Sequence, residues 1–259
     1  MSIKRLDTPE GRYYVYVAKQ GKSYEEGGFF LMPSVTTILS LKGSQRLQDL
    51  ENEIGKEELE KIGKRAAKRG TAMHSFLENY FVCLRHGGNH ENCLLYTQKK
   101  TPDELRKESL EEESVSAGRN LFYNYIYEGY LERIRKVLFT ERFTWSLTHR
   151  FAGTADFAFV NQEGRIVIAD FKSASGIKDE ETIHKYQLQL AAYTIAFEEI
   201  YKKKVNHAEL WISHPLGVQD VGLSGELMEE RKREFIQLSQ EYHSKWNPSE
   251  IVKKYYKSA

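Results

Sequence analysis

Residues 154–172 read TADFAFVNQEGRIVIADFK, and the loop in the middle of this stretch decides what the chain can do. Two runs rich in Phe, Val and Ile flank Gln162, Glu163 and Gly164, the composition of a β-hairpin. If those three residues form the loop, with Gly164 in the left-handed position, Asn161 pairs with Arg165 and Asp156 falls directly opposite Asp170. A four-residue loop would put the two carboxylates on opposite faces, because a one-residue slip inverts every side chain. Lys172 lies two residues beyond Asp170 and projects from the same face. Around them Phe157, Phe159, Ile166, Val167, Ile168 and Phe171 are apolar, so packing alone does not explain two aspartates and a lysine. A buried ion pair of Asp170 with Lys172 or Arg142 is the bland reading. Against it, facing carboxylates repel unless a proton or a divalent cation lies between them. A hard cation with oxygen ligands, Mg²⁺ or Mn²⁺, fits that chemistry. Such an ion positions a water, lowers its pKa and neutralises charge on a phosphorane-like transition state. Lys172 could then orient or deprotonate the water, or stabilise a nonbridging oxygen, and the sequence does not choose among these roles.

Upstream, from Val137, the apolar period is two: Phe139, Glu141, Phe143, Trp145 and Leu147 alternate with Thr140, Arg142, Thr144, Ser146 and Thr148. This predicts a half-buried strand with Glu141 on its apolar side, where a carboxylate needs a cation or a strong donor. An edge strand with a wet face, or a salt bridge to an arginine, would also explain it. Downstream come a helix over about 182–201, a strand over 208–213 and a helix over about 224–243. Before the strands lie two helical blocks, 47–85, interrupted at Gly55, Gly63 and Gly70 and ended by Gly87, Gly88 and Asn89, and about 102–136. At the start, strands over 13–18 and 29–31 precede a short helix opened by Pro33 and Ser34 and running through Leu39. Helices, then a meander of strands, then strand and helix imply a mixed α/β core. With no linker, repeat or low-complexity tract, residues 1–259 are expected to form one domain, 1–136 being an N-terminal hairpin and helical wall and 137–259 the α/β core.

Several groups on the predicted helices bear on function. Lys61, Lys64, Arg65 and Lys68 follow helical spacing and make one basic face ending at Arg69 and Gly70, able to track a phosphate backbone. The alternative is a solvated face paired with the acidic run 51–60. His74 and Glu78 are four apart, so Glu78 could orient a metal-bound His74. Gln189 and Tyr193 share a stripe with Tyr186, Leu190 and Phe197, and Gln189 needs partners there. Ser34 and Thr36 could bind phosphate near a helix start, although capping alone would explain Ser34. Cys83, His86, His90 and Cys93 have a spacing that could close a tetrahedral zinc site, yet two buried cysteines with surface histidines are the simpler account.

Composition narrows the class. The chain has 259 residues, 40% hydrophobic and 29% charged, enough apolar material for a core and too much charge for a membrane domain. The uncharged stretch from Gly27 to Leu41 contains Pro33 and is shorter than the roughly 18 apolar residues a span needs. The start has basic residues but no apolar run, so no secretory signal is expected and a cytoplasmic location follows, a host cytoplasm for a phage-encoded chain. Two cysteines supply neither a disulfide framework nor an iron–sulfur cluster. Lys+Arg 38 against Asp+Glu 37 gives a net charge of +1, so attraction to nucleic acid has to be local.

Gly153-Thr-Ala-Asp156, then Asp170-Phe-Lys172, then Gln189-Leu-Ala-Ala-Tyr193 resemble the PD-(D/E)XK nuclease superfamily in its RecB-like branch. The sequence is most similar there to the mitochondrial genome maintenance exonuclease and related phage exonucleases. Pro33-Ser-Val-Thr36, Arg69-Gly-Thr-Ala-Met-His74 and the strand bearing Glu141 support that branch. The resemblance implies a restriction-endonuclease-like α/β core and metal-dependent hydrolysis of DNA phosphodiesters, exonucleolytic and directed to single strands or duplex ends, in repair, recombination or replication. It implies Asp156, Asp170, the Phe171 carbonyl and His74 as ligands of Mg²⁺ or Mn²⁺, Lys172 as the catalytic lysine, Glu141 as the first acidic position and Gln189 beside the lysine and water. Thr71, Ser173 and Tyr193 join Ser34, Thr36 and the basic helix face as expected DNA contacts. The proline of the superfamily name is Ala155 here. A structure-specific endonuclease of the same fold, a catalytically inactive DNA-binding protein, and a zinc or small-molecule module on the Cys/His cluster are the rival readings.

Overall fold

The computed structural model describes residues 2–17, 29–43, 45–246, 251 and 254. The order is β1 (Ser2–Thr8), β2 (Gly11–Val17), β3 (Phe29–Pro33), α1 (Val35–Leu39), α2 (Gln45–Ile54), α3 (Lys56–Arg85), α4 (His90–Lys107), α5 (Glu112–Tyr127), β4 (Ile134–Ser146), β5 (Phe151–Asn161), β6 (Ile166–Ser173), α6 (Glu180–Tyr201), β7 (His207–His214), β8 (Gly217–Ser224) and α7 (Gly225–Lys245). The expected α/β class is therefore present, as a five-stranded mixed sheet flanked by helices. Its order is β4-β5-β6-β7-β8, antiparallel except for β6 and β7, whose parallel pairing needs the crossover that α6 supplies. A separate antiparallel sheet, β1-β2-β3, leads the chain.

The hairpin register is the one that a three-residue loop requires. Asn161 N–H donates to the Arg165 carbonyl at 2.9 Å, Gly164 has φ +79°, and Ala158 pairs with Ile168 and Phe159 with Val167. Alternation then sends Phe157, Phe159, Val167, Ala169 and Phe171 to one core with Phe76, Phe81 and Phe122 of α3 and α5. Ala158 and Ile168 face the other core, with Leu190 and Phe197 of α6 and Phe235 of α7. Asp156 and Asp170, two residues along from these, project to the α6 side. Both faces of the central strands are covered, which is why they read as nearly continuous apolar runs.

Several expected element bounds are corrected. Gly63 and Gly70 do not interrupt α3; only Gly55, with φ +82°, breaks the helical block. The second block begins at His90 rather than near Pro102, capped by Asn89, and ends before Ile134, which already belongs to β4. Strands β1 and β8 were not expected, since their runs are short and polar. The expected strand over 13–18 ends at Val17, and Ala18 with the turn after it lies outside the described residues. Ser34 does cap α1, its hydroxyl accepting from Thr37 N–H at 3.0 Å. No helix among the described residues is long and apolar enough to cross a membrane.

Candidate active site

The strand carrying Glu141 departs from simple alternation. Val137 and Phe139 are buried, but after Glu141 the buried positions are Thr144 and Ser146, of opposite parity. Phe143 and Trp145 pack instead against Tyr14 and Met32 of the small sheet, so the expected shared face of Phe139, Glu141, Phe143 and Trp145 is corrected. After register shifts in the pairing with β5 between Ile134 and Lys136 and between Val137 and Phe139, the parity changes at Glu141, whose φ of +43° is left-handed. A non-glycine residue held there costs about 1–3 kcal/mol, strain that clusters where a side chain must be aimed. Here Glu141 is aimed at His74: Glu141 Oε1 lies 3.1 Å from His74 Nδ1.

His74 stands on α3 and reaches across to the end of β6. Its Nε2 lies 3.1 Å from the Phe171 carbonyl oxygen and 4.0 Å from Asp156 Oδ2. Glu78 is not its partner, contrary to the expectation from i,i+4 spacing, because Glu141 from the neighbouring strand occupies Nδ1. Asp156 is fixed by the Phe171 N–H, which donates to Oδ2 at 2.8 Å. His74, Glu141 and Asp156 each offer a ligand atom, all within 4.8 Å of one another, and the Phe171 carbonyl adds an oxygen against the imidazole. Imidazole, carboxylates and a carbonyl are a donor set suited to a divalent cation.

Asp170 is fully buried and forms an ion pair with Lys172 Nζ. Apart from that pair, neither of its oxygens has a hydrogen-bond partner among the described residues. Burial raises its carboxyl to about 7, Lys172 opposing and Asp156 adding to the rise. Burial likewise raises Asp156 while His74 and Lys172 oppose. Burial would lower His74, but Asp156 and Glu141 outweigh it and hold the imidazole up at about 9. The pattern is a surplus of buried carboxylate calling for positive charge, and it fits the group these residues would hold.

Two cavities meet at this cluster, and His74 and Glu141 line both. The larger, about 580 Å³, runs along α3 past Gly70, Thr71, Glu78, Lys172 and Ser173. A Cβ on Gly70 would come within 3.1 Å of Ser173 Oγ, so a glycine keeps this passage open. The smaller, about 310 Å³, is lined by Ser34, Thr36, Asp156, Gln189 and Tyr193. Gln189 gives an N–H to Tyr193 Oη at 3.1 Å. Ser34 is buried with its hydroxyl engaged as the cap, whereas Thr36 is exposed.

The basic face of α3 is less available than its spacing implied. Lys61 pairs with Glu57 and Glu58, Arg65 lies 3.6 Å from Glu58, and Lys68 meets Glu111 at 2.7 Å. Lys64 is exposed, and Arg69 has a buried Nε without a hydrogen-bond partner among the described residues. The zinc reading is corrected: Cys83 and Cys93 are joined as a disulfide, which removes both thiolates from any ligand set. His86 and His90 turn to the Val82 carbonyl and the Tyr80 hydroxyl. Gly88 permits the closure, since a Cβ there would lie 2.5 and 2.6 Å from the two sulfurs. Four site neighbours were not singled out from sequence as part of the site. Tyr186 places its ring 5.3 Å from Lys172 Nζ, and its position three residues before Gln189 is the signal for it. Arg5, Arg12 and Tyr14 reach the smaller cavity from the leading sheet, which no local pattern reveals.

Among curated proteins no sequence matches. Among solved structures, that of SSO0001 shares 16% identity with a TM-score of 0.34, covering 56% of this chain and 69% of that one. The structure of a "Putative exonuclease" from Eubacterium rectale shares 11% identity with a TM-score of 0.41, covering 66% and 68%. The sequence pattern of the PD-(D/E)XK nuclease superfamily matches residues 43–251, most of the chain. The chain belongs to the PD-(D/E)XK nuclease superfamily.

Proposed function

We propose that the chain is a divalent-metal-dependent DNA exonuclease that hydrolyses phosphodiester bonds of single-stranded DNA or DNA ends in repair, recombination or replication. The observation that carries this reading is the convergence of His74 Nε2, Asp156, Glu141 and the Phe171 carbonyl beside the Asp170–Lys172 pair, where two cavities meet. His74, Asp156 and the Phe171 carbonyl would hold Mg²⁺ or Mn²⁺, and Asp170, which has no partner among the described residues apart from Lys172, has ligand capacity beyond that ion pair. Bound there, the cation would lower the pKa of a water and neutralise charge on the scissile phosphate.

The remaining work falls to side chains. Glu141 orients His74 through Nδ1, and the Phe171 N–H orients Asp156. Lys172, held between Asp170 and the Tyr186 ring, would orient the attacking water or stabilise a nonbridging oxygen, with Gln189 nearby to position that water. Thr71, Ser173, Thr36 and Tyr193 would contact the strand, and Lys61, Lys64, Arg65, Lys68 and Arg69 would follow its backbone on exchanging present partners for phosphate. In this reading residues 1–259 act as one nuclease domain in which 1–136 form a hairpin and helical wall and 137–259 the catalytic core. The RecB-like placement, near the mitochondrial and phage exonucleases, rests on the Arg69–His74 and Gln189–Tyr193 motifs.

The test is degradation of a single-stranded oligonucleotide labelled at either end, with Mg²⁺, Mn²⁺ or EDTA, beside closed circular single strands. Label loss that needs metal and disappears in Lys172→Ala and Asp170→Ala, with circles left intact, is the expected result. Cut circles would make the protein an endonuclease, and retained binding without cleavage under either metal would make it a binding protein.

A further inference from the structure

The leading hairpin lies outside the residues that match the superfamily pattern, yet it forms one wall of the smaller cavity. Its register explains how. Asp7 pairs across with Arg12 and Arg5 with Tyr14, so these four side chains share one face of the β1–β2 ribbon. Tyr13 and Val15, on the opposite face, are buried in the core. Arg5 Nε donates to Asp7 Oδ2 at 2.7 Å and Arg12 Nε donates to Asp7 Oδ1 at 2.9 Å. One carboxylate thus braces two guanidinium groups. Neither bond uses the terminal amino groups, the edge that grips phosphate oxygens bidentately.

The brace is tied to the catalytic sheet. Arg12 N–H donates to Thr37 Oγ1, and its carbonyl accepts from Thr37 Oγ1 and from Ser34 N–H at 2.8 Å. Ser34 bridges in turn to Ala152 of β5, the strand that carries Asp156 four residues later. Gly11, φ +138°, lets the turn sit against Thr37, where a Cβ would come within 2.6 Å of its methyl group. A short chain of backbone contacts therefore fixes Arg12 relative to Asp156. Both arginines line the same cavity of about 310 Å³ as His74, Glu141 and Asp156. A cavity of that size takes roughly one nucleotide, near the low end of ligand-site volumes.

We infer that Arg5 and Arg12, braced by Asp7, bind a phosphate of the substrate strand adjacent to the one being cleaved. This rests on the nuclease reading and names a subsite of the same site. The ligand chemistry is a phosphate oxygen, whether of an internal diester or of a strand-terminal monoester. Arg5 and Arg12 are 53% and 41% exposed at their side chains, so replacing them leaves the core intact.

The test compares Arg5→Gln/Arg12→Gln with a charge-matched control, Lys203→Gln/Lys204→Gln, exposed residues beyond the far end of α6. The probe is a fluorescein-labelled single-stranded oligonucleotide, with a 5′-phosphate or a 5′-hydroxyl, bound in EDTA over a salt series. Cleavage kinetics are measured with Mn²⁺, and thermal unfolding checks each variant. The arginine variant is expected to bind about tenfold more weakly than wild type, with its log–log salt slope smaller by about 0.7 for the lost phosphate contact. KM should rise with kcat within about twofold, and the control should stay within twofold of wild type throughout. A loss equal for both ends assigns an internal diester, and one confined to the 5′-phosphate assigns a terminal monoester. Unchanged binding in the arginine variant, or an equal loss in the control, overturns the subsite while leaving the nuclease assignment standing. A wild-type protein that neither binds nor cleaves overturns both.

Discussion

Gly118 of α5 offers the sharpest test of how the helical layer holds the site. A Cβ built there would lie 2.4 Å from Ala72 Cβ, 2.7 Å from Met73 N and 2.9 Å from the Ala72 carbonyl carbon, against the surface of α3. Ordinary contacts begin near 3.4 Å, so Gly118→Ala forces the two helices apart by up to about 1 Å. Two effects of opposite sign compete. Alanine in a helix interior gains about 1 kcal/mol over glycine. Overpacking against immobile backbone costs about 1–3 kcal/mol. The atoms met here are the Ala72 Cβ and main chain, none of which can rotate away, so the cost belongs near the upper end and the net change is a destabilisation of about 1–2 kcal/mol. In a chain of this size that lowers Tm by about 2–8 °C. Because Ala72 and Met73 immediately precede His74, displacement of α3 also moves the imidazole, and misplacement on this scale can reduce turnover up to about 100-fold. Urea and thermal unfolding, with cleavage measured on the folded fraction, decide the matter. A variant as stable as wild type, or more so, would show that propensity outweighs contact and that α3 and α5 are not in backbone register here.

Lys232 is 6% exposed and bonds Glu198 at 2.9 Å and Glu229 at 3.2 Å, so Lys232→Met should cost about 1–2 kcal/mol. That is less than the 3–5 of a fully buried pair, since both glutamates reach solvent, and urea unfolding reads the difference. Glu199 accepts from Ser146 Oγ and from the Leu147 and Thr148 N–H groups, which hold its carboxyl below the usual range against burial. Its folded pKa is depressed, so its contribution is present above the unfolded glutamate pKa and lost as pH falls through the folded one. The gap in urea midpoint between wild type and Glu199→Gln should therefore hold level down to about pH 5 and narrow below it, and a gap that stays constant to about pH 3 would refute the linkage. Excess Mn²⁺, at about 100 times its Kd, should stabilise the wild type by about 2.7 kcal/mol. Differential scanning fluorimetry should show that rise in Tm and its loss in Asp156→Asn.

The hairpin could be read in the sequence because its information is local. Gly164 sets the loop, the loop sets the register, and the register brings Asp156 and Asp170 to one side. The motifs around His74 and Gln189 were legible for the same reason, being short, ordered and carried on single elements. What they touch was not. His74 takes Glu141 rather than Glu78 because a strand 67 residues away presents a carboxylate at closer range than the next helical turn. The parity break at Glu141 is invisible in the alternation of side chains, since a left-handed backbone in a strand is imposed by what surrounds it. The sequence leaves the α3 basic face open between phosphate and the acidic run 51–60, and only placement shows Glu57, Glu58 and Glu111 beside it. A zinc site on the cysteines is the less simple of two readings, and a turn at Gly88 joins them as a disulfide instead. Arg5 and Arg12 lie at the start of the chain in a ribbon with little apolar pattern, and only long-range pairing carries them to the catalytic strand. Local periodicity and turn chemistry thus determined most of the core elements and the hairpin register, and short ordered motifs carried the resemblance to the family. Tertiary packing decided each partner, because contacts across elements depend on distances that a linear sequence does not contain.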